Sequence, residues 1–265
     1  MDPVEIIKGS SPLILAMPHT GTFVPEEIFE NLNDVGRTLE DTDWHIDRLY
    51  AELLPSATQV RAMFHRYVID PNRDPSGQSL YPGQNTTGLC PTVDFEDEPL
   101  YKTGREPDAD EIERRKLQYH APYHAALAAE IERVKAQHGI AILYDCHSIQ
   151  SRKPFLFDGK LPDLNIGTNG GATCDARLQT AAADICARAD GYSAVVNGRF
   201  KGGWTTRHYG QPDDGVHAVQ MELTQSSYMD ENAPWTYRPD KAERIRPHLK
   251  KILETLEQLA KEIRP

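Results

Sequence analysis

Apolar residues recur along this chain in two rhythms, short unbroken runs and stretches spaced three or four residues apart. The run Pro12-Leu-Ile-Leu-Ala-Met17 stops at Pro18 and predicts a buried strand. From Asp43 to Leu54, the residues Ile46, Leu49, Tyr50, Leu53 and Leu54 share one helical face. Asp41 or Thr42 is placed to cap that helix and Pro55 to end it. Residues 58–70 are rich in β-formers and read as one or two strands, whereas 71–107 are rich in Pro, Gly, Asn, Thr and Asp. That second stretch reads as a long ordered excursion, of the kind that carries function in compact domains. Asp108 with Glu111 has capping-box spacing and opens a helix towards Gly139, with Pro122 predicting a kink or two abutting helices. Residues 140–147, IAILYDCH, form the strongest strand candidate. An alanine-rich helix over 175–190 closes at Gly191, and 192–197 and 216–224 read as further strands. From Asp240 onward, Ile245, Leu249, Ile252, Leu256, Leu259 and Ile263 keep helical spacing, with Pro247 expected to interrupt the first turn. Strands alternating with helices predict a layered α/β fold, and the 265 residues are expected to form a single domain, 1–265.

Charge narrows the partners. Forty acidic against 29 basic side chains leave a net charge of -11, which disfavours a general nucleic-acid binder or a polybasic membrane anchor. No apolar run approaches the roughly 20 residues of a membrane span, and the N-terminus lacks a secretory pattern. Cys90, Cys146, Cys174 and Cys186 form no CxxC pair and read as free thiols of a cytoplasmic protein. No oligomeric state can be read from the pattern.

The candidate chemistry gathers at strand ends. Asp145 and His147 alternate on one face of the strongest strand and Cys146 points the other way, which argues against a cysteine nucleophile activated by His147. An Asp and a His in that position suit a metal ligand with an orienting carboxylate. His19 also follows an apolar strand, in Pro18-His19-Thr20-Gly21, so the two histidines can converge at one sheet edge. A third ligand is expected from Asp41, Asp43, His45 or Asp47 in the segment DTDWHID. His120 and His124 have HxxxH spacing but lack the glutamate of HExxH, and read as structural. Glu222, on a strand-like run beside Gln220, reads either as a general base or as half of an ion pair. Arg66, Arg73, Arg199 and Arg207 supply guanidinium forks suited to carboxylates, with Asn72 and Thr205 close by in sequence. Neither a Walker nor a GxGxxG motif is present.

In order along the chain, PHTG (18–21), DTDWHID (41–47), RYVIDPNRDPSG (66–77), PYH (122–124) and DCHS (145–148) resemble the N-formylglutamate amidohydrolase family. So do PDLNIGTNGGATCD (162–175), NGRFKGGWTTRHYG (197–210) and QMELTQSSYMDE (220–231). The resemblance implies an α/β/α sandwich around a mixed sheet, of the zinc-dependent exopeptidase type. It also implies metal-dependent hydrolysis of N-formyl-L-glutamate to formate and L-glutamate, in histidine degradation. Carried over, His19 and His147 match the metal ligands, Asp43 is placed third ahead of Asp41, His45 and Asp47, and Glu222 is the base. Asn72, Arg73, Arg199, Thr205 and Arg207 are then expected to hold the carboxylates of a small anionic substrate. Zn²⁺ is the expected ion, with Co²⁺, Fe²⁺ or Mn²⁺ suited to the same donors. Two departures stand out: Thr22 occupies the fourth position where distant carboxypeptidases carry the Glu of HxxE, and His120 stands where tryptophan is expected. The resemblance leaves two alternatives, a deacylase for another N-acyl acidic amino acid and a non-catalytic binder. A divalent ion with Arg73 and Arg199 outweighs Asp43 and Glu222, so the site is expected to be cationic within an acidic protein.

Overall fold

Three runs with no exposed residue, β2 (Leu13–Met17), β4 (Ala141–Ile149) and β7 (Val216–Thr224), lie side by side and parallel at the centre of the sheet. Strands buried on both faces lose the polar alternation of a half-exposed strand, which is why they read as unbroken apolar runs. The structure, a computed structural model, describes residues 2–79 and 83–263; residues 80–82 of the long excursion lie outside the described residues. Among the described residues the sheet has seven strands in the order β1-β3-β2-β4-β7-β5-β6. β1 (Val4–Ile7) runs antiparallel to β3 (Thr58–Ala62), and β5 (Leu164–Gly167) runs antiparallel to β7 and parallel to β6 (Ala194–Val196). The sheet is therefore mixed.

Helices cover both faces. Alternate residues of the central strands, such as Leu15, Tyr144 and Met221, pack with Leu49 of α2 (Ile46–Tyr50), Leu178 of α5 (Ala176–Ala187) and Ile252 of α7 (Pro239–Leu259). The opposite set, including Ile14, Leu143 and Ala218, packs with Leu127 and Ile131 of α4 (Ala121–His138). The result is the expected α/β/α sandwich. α1 (Glu26–Phe29), α3 (Ala109–Arg115) and α6 (Trp204–Tyr209) are short accessories to it.

Several boundaries depart from the sequence expectation, each for a local reason. Of residues 58–70 only Thr58–Ala62 pair as a strand; Val68 N–H bonds His65 O, so the chain turns and its β-formers fill the core instead. The predicted helix over 43–54 shrinks to Ile46–Tyr50, because His45 adopts left-handed backbone (φ 62°) and Ala51 is extended. Asp108 caps α3 as expected, its side chain accepting from Glu111 N–H. Between α3 and α4 the helix forms a π turn over Lys116–His120, and this widened turn accommodates Pro122, which has no N–H to donate. α7 runs unbroken through Pro247. The short strands β1 and β5 carried no legible signal.

Candidate metal and substrate site

The two face-sets of the central strands end in different chemistry. Asp145 and His147 of β4 continue the face that packs on α4, and Gln220 and Glu222 of β7 continue it next door. Register pairs His147 with Glu222 and Asp145 with Gln220, placing the imidazole and the carboxylate side by side. Cys146 points into the opposite core, where burial pushes its thiol well above the usual range, so no thiolate faces the site. All four cysteines are buried and free.

His19 stands two residues after β2, and the backbone N–H of Asp43 bonds the His19 carbonyl at 3.0 Å. That bond brings the DTDWHID segment to the strand end. His19 Nδ1 and His147 Nδ1 stand 3.2 Å apart, and Asp43 Oδ2 lies 3.6 Å from the first and 3.3 Å from the second. Tetrahedral donors about 2.0–2.1 Å from an ion are separated by roughly 3.3 Å, so the triangle has the dimensions of three ligands of one ion. The Asp43 Oδ2 atom is buried and accepts no hydrogen bond, an arrangement that costs free energy unless a cation completes it. His19, Asp43 and His147 could therefore hold a metal. Of that segment's candidates, Asp43 is the one that groups with both histidines among the described residues, and the others make contacts elsewhere. Asp41 Oδ2 accepts from Phe95 N–H, His45 Nε2 donates to the Trp235 carbonyl, and Asp47 pairs with Arg61.

Behind each imidazole stands a carboxylate. His19 Nε2 donates to Asp70 Oδ1 at 2.7 Å, and His147 Nε2 lies 3.0 Å from Asp145 Oδ1. The hydrogen bond from His19 fixes its ring, and with His147 facing Asp145 in the same way the opposite nitrogens would be left to a metal. Burial would raise the pKa of Asp70, but Arg66 and Arg73 hold it well below the usual carboxylate range. Asp43 is likewise depressed, its burial outweighed by the two imidazoles, while His147 is raised because Asp145 and Asp43 outweigh its own desolvation. Glu222 goes the other way: burial pushes it up to about 8. A nearby cation would draw that value down.

These groups open into a cavity of about 240 Å³ whose walls include Asn72, Arg73, Arg199 and Glu222. Asn72 Nδ2 lies 3.3 Å from His147 Nε2, beside the metal-ligand candidates. Arg73 Nε and Nη2 reach the carbonyl and hydroxyl of Thr87, and Arg199 Nε donates to the Leu156 carbonyl. Thr205 and Arg207 are not among the cavity-lining residues. Thr205 is buried, its backbone N–H donating to Asn72 Oδ1, and Arg207 Nε donates to the Gly202 carbonyl. Phe95 and Leu156 give the cavity apolar wall as well.

A sequence model described as N-formylglutamate amidohydrolase matches residues 11–229. The chain belongs to the N-formylglutamate amidohydrolase family. Within that family, the N-formylglutamate deformylase of Pseudomonas aeruginosa is 49% identical over 259 residues, covering 97% of this chain and 97% of that protein. The Pseudomonas putida N-formylglutamate deformylase is 48% identical over 251 residues, covering 94% and 93%. Among solved structures, an N-formylglutamate amidohydrolase from Ralstonia eutropha shares the fold with a TM-score of 0.81 at 26% identity, covering 99% of each chain. A gene product of Agrobacterium tumefaciens shares it with a TM-score of 0.73 at 18% identity, covering 98% and 96%. As a member of the amidohydrolase family the chain is an enzyme of the deformylase type. Asp70 is the site residue that motif reading passed over: its place two residues before Asn72 was visible, its burial was not. No helix among the described residues is long and apolar enough to cross a membrane.

Proposed function

We propose that this chain hydrolyses N-formyl-L-glutamate to formate and L-glutamate, as a step of histidine degradation, and that it does so with a divalent metal. The observation that carries the reading is Asp43 Oδ2, buried without a hydrogen-bond donor beside two imidazole nitrogens, in the cavity that Glu222 also lines. The deformylase relatives supply the substrate. Two imidazoles and one carboxylate suit Zn²⁺, and Co²⁺, Fe²⁺ or Mn²⁺ take the same set. An ion held there supplies Lewis acidity, polarising the formyl carbonyl and acidifying water.

The chain's own residues do the rest. Glu222 takes the proton of the attacking water and, once protonated, delivers it to the nitrogen that leaves as the C–N bond breaks. Its burial favours the protonated form, which suits the delivery step. Asp70 orients His19 by a hydrogen bond, and Asp145 faces His147 at 3.0 Å. Asn72, Arg73 and Arg199 line the cavity and would receive the two carboxylates of the substrate, since guanidinium forks match carboxylate geometry.

The test is formate release from N-formyl-L-glutamate, with N-acetyl-L-glutamate as comparator and with and without chelator. We expect the formyl substrate to be preferred and chelation to abolish turnover. Glu222→Gln should keep its metal while kcat drops by about 10²–10⁴. Near-normal turnover in that variant would remove Glu222 as the base. A folded, metal-free protein that binds glutamate and releases no formate would instead be a binder of acidic amino acids.

A further inference from the structure

His120 and His124 take no part in the chemistry above, yet both rings are buried, 3% and 9% exposed. Each spends its Nε2–H on a backbone carbonyl of one short segment. His124 donates to Pro71 O at 2.8 Å and His120 to Arg73 O at 3.1 Å. The two carbonyls flank Asn72. Carbonyls only accept, so both contacts place the ring proton on Nε2, and the freed Nδ1 of His124 faces the Tyr209 hydroxyl at 3.0 Å, which also reaches the His124 carbonyl at 3.2 Å. Burial lowers the proton affinity of both rings, His124 down to about 3, so the neutral form that makes these bonds persists across the physiological range.

The rings are themselves held. Their centroids lie 4.4 Å apart, and Trp204, the first residue of α6, meets His124 edge-on at 4.6 Å. The same helix start grips Asn72 by its side chain. Thr205 N–H donates to Asn72 Oδ1 at 2.9 Å, and Gly203 is so close that a Cβ there would stand 2.3 Å from Asn72 Nδ2. Asn72 thus has its two flanking carbonyls held by His120 of the π turn and His124 of α4, and its amide held by the start of α6.

We infer that His120 and His124 are positioning residues, which hold the Pro71–Arg73 backbone so that Asn72 and Arg73 present their donors to the substrate. The inference rests on reading Asn72 and Arg73 as carboxylate ligands. A clamp on binding groups that act alike in ground and transition state affects KM, not kcat.

The experiment compares His120→Phe and His124→Phe, which keep ring packing and lose the N–H, with His124→Gln, which restores a donor. Both phenylalanine variants should raise KM for N-formyl-L-glutamate about tenfold with kcat within about threefold, and glutamine should recover most of the KM. Amide hydrogen exchange at Asn72 and Arg73 should quicken about tenfold in the phenylalanine variants and not in the glutamine one. The two variants address separate carbonyls, so if one fails to fold, the other carries the test. Unchanged exchange and KM in the phenylalanine variants would overturn the inference, as would a fall in kcat at constant KM. If the wild type releases no formate, the reading of the reaction fails, and the exchange measurement decides the clamp by itself.

Discussion

Asp70 sends one oxygen to the His19 imidazole and the other to two guanidinium groups. Oδ1 accepts from His19 Nε2 at 2.7 Å and from Asn72 N–H at 2.8 Å, while Oδ2 lies 2.6 Å from Arg66 Nη2 and 3.4 Å from Arg73 Nη1. A carboxylate with no exposed surface is tolerable only when so fully paired. It joins a candidate metal ligand to a candidate substrate ligand through one group. Asp70→Asn should weaken divalent-metal affinity about 10–100-fold, read by competition with a chromophoric chelator. Affinity equal to wild type would mean that His19 is oriented by something else. Motif reading singled out His19, His147 and Glu222 as candidates because their residue types announce metal and proton chemistry. It left the third ligand open among four residues, because spacing cannot tell which side chain of DTDWHID turns inward. The hydrogen bond from Asp43 N–H to the His19 carbonyl and the left-handed turn at His45 settle where each side chain lies.

Among the elements, α6 does more than its six residues announce. Its start contacts Asn72 through Gly203 and Thr205, reaches Gln220 through Gly203 N–H, and touches Asp145 through the Thr206 hydroxyl at 2.9 Å. Gly203 has ordinary backbone (φ -77°); what excludes a side chain there is the Asn72 amide. Gly203→Ala should displace Asn72, cost about 1–3 kcal/mol of stability by overpacking, and raise KM. Urea unfolding and steady-state kinetics check this, and unchanged values in both would show that the loop yields freely. In sequence, NGRFKGGWTTRHYG read as a basic, carboxylate-binding stretch, with Thr205 and Arg207 named among its ligands. The Thr205 backbone N–H bonds Asn72 and Arg207 Nε the Gly202 carbonyl, and of these three residues Arg199 is the one on the cavity wall. Arg199 lies before α6 and the other two lie in it, and a helix this short gives no periodicity to read.

Over the whole molecule, buried histidines leave a mark on stability. His124 has its pKa lowered by burial to about 3, against about 6.5 when unfolded. Below pH 6.5 the unfolded chain takes up a proton that the native state refuses. The stability His124 contributes is therefore full above pH 6.5 and falls by about 1.4 kcal/mol per pH unit towards pH 3. Asp41, raised by burial to about 7, works in the opposite direction, so the net profile is not diagnostic. The diagnostic quantity is the difference between wild type and His124→Gln, which should shrink by about 2 kcal/mol between pH 6.5 and 5 in urea titrations. A constant difference would mean that His124 takes up its proton as readily in the fold as in the unfolded chain. From the sequence alone came the layered α/β class, the three central strands and the residue types of the site. These are local quantities, carried by unbroken apolar runs and by side-chain chemistry. The order of the strands, the short strands β1 and β5, the meeting of Asp43 with both histidines and the hub at Asp70 were decided only in three dimensions. Each depends on which distant segments meet: β4 and β7 are more than sixty residues apart, yet their register sets His147 beside Glu222. Pairing of that range is chosen by the packing of the whole core, which no local pattern records.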